Sequence, residues 1–252
     1  MLKIATWNVN SVRSRLDHVM KWLEDVSPDV LALQETKVVD ELFPWQAFAE
    51  MGYTVSFYGQ KSYNGVAMIT RKDAETVAPW PLHEEAKRLI AVDYQGVRII
   101  NVYIPNGSSL TSDKYTYKLQ WLEQLTQYLE DTLVGCQQVV ILGDFNIAPQ
   151  DIDVHDPERW QGILVSPPER QWFKAVQAMG FIDSYRHLSA EPGFTWWDYR
   201  QAAYRRNMGL RIDHIMVSSA LRQQLVSCDV DPRPRGWDQP SDHAPVVVQI
   251  DV

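Results

Sequence analysis

Residues 139–149 read VVILGDFNIAP, four apolar residues running into a glycine, an acid, an aromatic and an amide. A short apolar run closed by such residues reads as a buried strand. Successive side chains on a strand point to opposite faces, so Asp144 and Asn146 are expected on one side of its exit and Phe145 on the other. Asp, Asn and Gly also favour turns, so the segment alone leaves two readings, a turn or a site.

The flanking sequence supplies the frame. Strand-like runs fall at 3–9, 30–35, 54–59, 65–71, 89–94, 97–105, 139–146, 211–218 and 245–252. Helical spacing connects some of them. Over 12–26, Val12, Leu16, Val19, Leu23 and Val26 form a stripe behind Ser11 as N-cap. Over 114–133 the stripe is Tyr115, Leu119, Leu122, Leu129 and Leu133, and a third helix, 169–179, stops at Gly180. Strands outnumber helices and several neighbours are close enough to pair as hairpins. The pattern predicts one α/β domain over residues 1–252, with two facing sheets and helices outside, rather than a doubly wound parallel sheet.

Composition narrows the class. A chain 45% hydrophobic and 22% charged, with 10 Trp, 11 Tyr and 7 Phe, can build a substantial core. No apolar run is long enough to cross a bilayer, and MLKIATWNVN lacks the basic and apolar regions of a signal peptide. The two cysteines, Cys136 and Cys228, have no CxxC spacing and read as reduced thiols of a cytoplasmic protein. A net charge of −8 argues against coating nucleic acid, but not against a local basic face.

Polar residues collect where the strands begin or end. Asn8 and Asn10 close the first, Gln34 and Glu35 the second, and Tyr103 precedes Pro105-Asn106-Gly107. Asp144 and Asn146 follow, then Arg211 and Asp213, and Ser241-Asp242-His243 before the last strand. Each alone has a plainer reading as turn, cap or surface group. Together, if the ends converge, they surround one cleft with carboxylates, amides, a tyrosine and a histidine. Oxygen ligands of this kind suit a hard divalent cation and a water activated beside it.

The blocks TWNVNSVR, LALQET, NVYIPNG, GDFNIAP, FTWWDYR, RIDHIMVS and PSDHAPV, spanning residues 6 to 246, resemble the exonuclease III type of apurinic/apyrimidinic (AP) endonuclease. That family lies within the endonuclease/exonuclease/phosphatase superfamily. The resemblance implies a four-layered α/β-sandwich with mostly antiparallel sheets. It also implies a Mg²⁺-dependent hydrolase (Mn²⁺ substituting) that cuts DNA 5′ to abasic sites and cleans or degrades 3′ ends. Its partner would be duplex DNA with an abasic site or a 3′ end, and a monomer away from membranes is the simpler state.

Carried over by residue, the resemblance makes Glu35 the main metal ligand, with Asn8, Asp144 and Asp242 bordering the metal, Asp242 through water. Asn8 would hold Asp144, which orients or deprotonates the attacking water. Asn146 would touch the scissile phosphate, and Tyr103 and Asn106 would bind the phosphate or steady the leaving oxygen. Asp213 and His243 would form a pair, leaving Asp144 and His243 both available as general base. Some relatives carry Asp where Asn10 stands, and an amide adds no charge there, so Asn10 falls to the substrate side.

Residues 199–211 hold Arg200, Arg205, Arg206 and Arg211 and no acid. The expectation is that Arg205, Arg206 and Arg211 contact phosphates and that Trp196 and Trp197 wall a pocket for a sugar lacking its base. Ser11, Arg13 and Ser14 are further phosphate candidates, and His155 is expected in solvent. A ribonuclease, or a phosphodiesterase acting on lipid or inositol phosphates, is the alternative; the latter would not be expected to carry FTWWDYR and its arginines.

Overall fold

A computed structural model describes residues 1–77 and 87–252. In chain order its strands are β1 (Leu2–Asn8), β2 (Val30–Gln34), β3 (Thr54–Tyr58), β4 (Val66–Thr70), β5 (Glu75–Thr76), β6 (Leu89–Tyr94) and β7 (Val97–Tyr103). They continue with β8 (Val139–Asp144), β9 (Phe181–Asp183), β10 (Trp196–Trp197), β11 (Gly209–Leu210), β12 (Asp213–Ser218), β13 (Leu225–Val230) and β14 (Val246–Ile250). The helices are α1 (Leu16–Val26), α2 (Trp45–Glu50), α3 (Asp113–Gly135), α4 (Pro167–Ala178) and α5 (Ser184–Leu188).

One six-stranded sheet runs β13-β14-β1-β2-β4-β3, the other β5-β6-β7-β8-β12-β9, and β10-β11 is a two-stranded ribbon. Ile4, Ala32 and Met68 from the first sheet are buried with Val92, Ile99, Val140, Leu142 and Ile215 from the second. Gln34 crosses this apolar layer to give Asn101 Oδ1 a hydrogen bond of 2.7 Å, and Asn101 returns one to the carbonyl of Leu33. Outside the first sheet, Trp7 and Leu33 pack on Trp22 of α1 and Phe48 of α2. Outside the second, Ile141 and Phe145 pack on Leu125 of α3 and Phe173 of α4. Helix, sheet, sheet and helix make the four-layered α/β-sandwich expected.

Among the described residues two pairs are parallel, β1 with β2 and β7 with β8, and the remaining pairs are antiparallel. Parallel neighbours need a crossover, and α1 and α3 supply the two. Four strands therefore point their carboxyl ends to one edge of the sandwich. Antiparallel β12 and β14 begin at that same edge, with Asp213 in register with Asp144.

Ser112 caps α3, and Ser166 with Glu169 forms a capping box on α4. Ser11 does not cap α1; the helix starts at Leu16, and the Ser11 hydroxyl instead accepts from Ser14 N. On α3 the buried face is Tyr115, Lys118, Leu122, Leu125, Leu129 and Thr132, with Leu119 and Leu133 only partly covered. A lysine thus occupies a core position.

Candidate active site

The edge where the strands converge is polar because alternation ends there. Val140 and Leu142 face the inter-sheet core, which puts Asp144 on that side, while Phe145 faces the helices. Asn146 does not reach the site by alternation as expected. Pairing stops at Asp144, and Asn146 turns with φ 51°. Glu35 also lies just beyond its strand, with φ 51°.

Asn8, fully buried, donates its amide to Glu35 Oε1 and Asp144 Oδ2, both at 2.9 Å. Its oxygen accepts from Asn10 N at 3.0 Å, so Asn8 holds both carboxylates in place at the border of the candidate metal position. Asp144 Oδ1 accepts from Asn146 N at 2.9 Å. His243 Nδ1 meets Asp213 Oδ2 at 2.8 Å, and its Nε2 lies 3.8 Å from Asp144. Thr195 Oγ1 donates to the same Asp213 oxygen.

This crowding moves proton affinities. Burial, and the charges of Asp213 and Glu35, push Asp144 up to about 7 despite His243 and Asn8. Burial would lower His243, but Asp213 and Asp144 outweigh it and raise the imidazole to about 10. Burial, Glu35 and Asp144 hold the Tyr103 phenol well above its usual value, so it stays neutral.

Ligand atoms of Glu35, Asp144 and His243 lie within 4.8 Å of one another. Lys37 Nζ stands 2.8 Å from Glu35 Oε2, so a positive charge already rests against this carboxylate. Two carboxylates turned toward one point fit a hard divalent ion. His243 Nδ1 is committed to Asp213. Asp242 lies apart, taking hydrogen bonds from Asn10 Nδ2 and Trp196 Nε1. Asn10 also accepts from Lys37 at 2.6 Å.

Exposed Asn106 donates to Asn146 Oδ1 at 3.0 Å, which brings the two amides together. Arg205 and Arg206 are exposed, as are Arg13 and Ser14. Arg211 does not join them. It is 1% exposed and bound by Asp153 and Asp183, which makes it an internal strut rather than a DNA contact. Half-buried Trp196 remains at the edge, bridging to His243, whereas Trp197 is buried with Ala203 and Ala244 and lines a separate cavity with Tyr185 and Tyr204. A shared wall of two tryptophans is therefore not formed. His155 is half-buried against Trp160 rather than solvated. The sequence reading missed Lys118, whose signal was a charge within an apolar helical stripe.

A sandwich edge that joins paired carboxylates, phosphate-sized amides and a charged His–Asp pair defines a metal-dependent hydrolase of phosphate esters. The chain belongs to the Endonuclease/Exonuclease/phosphatase family, whose sequence profile matches residues 5–243. It is 34% identical over 262 residues to exodeoxyribonuclease III of Haemophilus influenzae, covering 97% of this chain and 98% of that one. The structure superimposes with TM-score 0.97 on the 3′ phosphatase NExo from Neisseria bound to a product DNA hairpin, at 44% identity and full coverage of both chains. An AP endonuclease from Archaeoglobus fulgidus superimposes with TM-score 0.94 at 40% identity, again over both full chains.

Proposed function

We propose that this protein is a DNA-repair nuclease that hydrolyses the backbone 5′ to abasic sites and removes blocking groups or nucleotides from 3′ ends with Mg²⁺. The observation that carries the reading is Asn8 binding Glu35 and Asp144 together, with His243 on Asp213 beside them. The names of the similar proteins add DNA to a site that by itself specifies phosphoester hydrolysis.

Asp144, with affinity near neutrality and both oxygens held, takes the proton of the attacking water. His243 keeps its proton and places positive charge where the phosphate becomes more anionic. Asn146 and Asn106 offer their remaining amide hydrogens to the phosphate oxygens. Tyr103 donates its phenolic hydrogen to the phosphate or the departing oxygen. Glu35, with Asp144 at its border, would hold Mg²⁺ or Mn²⁺, which lowers the pKa of water and neutralises developing charge. Arg205 and Arg206 would track the duplex backbone and Trp196 would face the bare sugar.

The reading takes residues 1–252 as one domain acting as a cytoplasmic monomer, a compartment in which the free thiols of Cys136 and Cys228 stay reduced. The test is a duplex with one abasic site, an intact duplex and a single strand, each with Mg²⁺ and with chelator. Incision at the abasic site and shortening from 3′ ends are expected with metal alone. Glu35→Gln should lower the rate by orders of magnitude and recover partly at high Mg²⁺ or with Mn²⁺. Undiminished cleavage in excess chelator, or no cleavage of any DNA, overturns it.

A further inference from the structure

The buried face of α3 carries one full charge. Lys118 is fully buried, and its ammonium donates to the main-chain carbonyl of Asn146 at 2.7 Å and to that of Asn106 at 3.4 Å. Its counter-ion is Glu169, also fully buried. Glu169 is pinned in turn by Leu164 N at 3.1 Å, Ser166 N at 2.9 Å and Ser166 Oγ at 2.6 Å. Tyr115, one turn before Lys118, meets the Ser166 hydroxyl at 2.6 Å.

Fold stability alone does not account for this pair. Replacing a buried ion pair with apolar side chains of similar volume is often neutral or stabilising, and Lys118 shares its helix with buried Leu122 and Leu125. What the ammonium does that a methionine cannot is donate to two main-chain carbonyls at once. Those are the main-chain carbonyls of the two asparagines described above, whose side-chain amides bond each other at 3.0 Å. Asn146 sits at φ 51°, a left-handed conformation open to Asn as a single residue, so its side chain leaves the strand direction at this point. Gly107, at φ 97°, presses the neighbouring loop on the same helix face; a Cβ there would lie 3.4 Å from Lys118 Cδ.

We propose that Lys118 is a positioning residue for phosphoester hydrolysis. Fixed by Glu169, its ammonium sets the backbone of Asn106 and Asn146 so that both side-chain amides meet the phosphate as one preorganised pair of donors. Its charge also lies beneath a site that must hold an anion. The inference rests on the reading of those two amides as phosphate-facing.

The experiment measures kcat, KM and melting temperature on a 3′-blocked duplex with Mg²⁺ for wild type, Lys118→Met, Glu169→Gln and the double variant. Lys118→Met strands a buried carboxylate and should lower both melting temperature and kcat. Adding Glu169→Gln removes that charge and keeps the cap on α4, so melting temperature should return toward wild type. The kcat of the double variant should stay lower, on the order of 10²-fold, with KM within about threefold, as misplaced groups at a reacting centre cost turnover rather than affinity. In an Asn146→Ala background the same pair of changes should lower kcat little further, because Lys118 acts through Asn146.

A double variant that regains both stability and wild-type kcat overturns the proposal, as does full additivity with Asn146→Ala. If the double variant does not fold, Glu169→Gln alone decides: unchanged kcat at an unchanged melting temperature overturns the proposal, and a several-fold loss supports it. Wild type failing to cleave DNA at all would instead remove the reading beneath it.

Discussion

At the scale of single residues, the site turns on how Asp213 and Asp144 bracket one imidazole. His243 holds its proton to about 10 because two carboxylates outweigh the effect of burial. The charge of Asp213 is the part that mutation can remove without touching Asp144. In Asp213→Asn the imidazole loses an opposite charge at 2.8 Å, a change that commonly moves a pKa by about 1–3 units. The sign is downward, so the alkaline limb of the pH–rate profile should move to lower pH, with kcat reduced on the order of 10²-fold. A profile that overlays wild type after scaling would remove His243 from its charged role.

Among the elements, the start of β12 is held by a buried cluster rather than by the sheet alone. Arg211 donates to Asp153 and Asp183 and lies 3.1 Å from His214 Nδ1. Arg186 reaches the same Asp153. Arg211 N donates to Asp153 O at 2.9 Å, so the loop after β8 is tied to the start of the strand that carries Asp213. Burial, then the charge of Arg211, lower His214 to about 4 from an ordinary value near 6.5. The unfolded chain therefore binds a proton between those pH values that the folded chain refuses. Stability from this group is fully present above about pH 6.5 and is lost as pH falls toward 4, roughly 3 kcal/mol in all. His214→Gln has no such proton to gain, so relative to wild type it should become more stable as pH drops. Urea midpoints at pH 7 and pH 4.5, in chelator, measure the difference; parallel shifts in both proteins would refute it.

The whole molecule carries a net charge of −8 and still reads as a DNA-acting enzyme. Duplex binding must then be local. Arg205 and Arg206 are exposed in the segment between β10 and β11, and β10 carries Trp196, which bridges to His243. Each phosphate contact adds close to one to the salt dependence of duplex binding. Arg205→Ala with Arg206→Ala should flatten the plot of log Kd against log salt by about 2 and weaken abasic and intact duplex alike. An unchanged slope would move the DNA path to another face.

What the sequence determined is everything written in nearby residues. Nine strand-like runs became strands because their apolar runs or alternations span enough residues to be read, and the three stripes became α1, α3 and α4. Asn8, Glu35, Asp144, Asp213 and His243 were legible because polar residues at the ends of apolar strands break the pattern visibly. Two-residue β5, β10 and β11 and three-residue β9 have no period to read, and six-residue β13, largely exposed or half-buried, was missed as well. Tertiary structure decided the matters that depend on distant partners. Arg211 looks like a surface charge until Asp153 and Asp183, 58 and 28 residues away, enclose it. Lys118 looks like an exposed helix lysine until Glu169, 51 residues on, is folded against it. Trp196 and Trp197 are neighbours in the chain, yet strand alternation sends one to the site and the other into a core. A side chain's burial is set by what the fold brings over it, and local sequence carries no record of that when the partner lies many residues away.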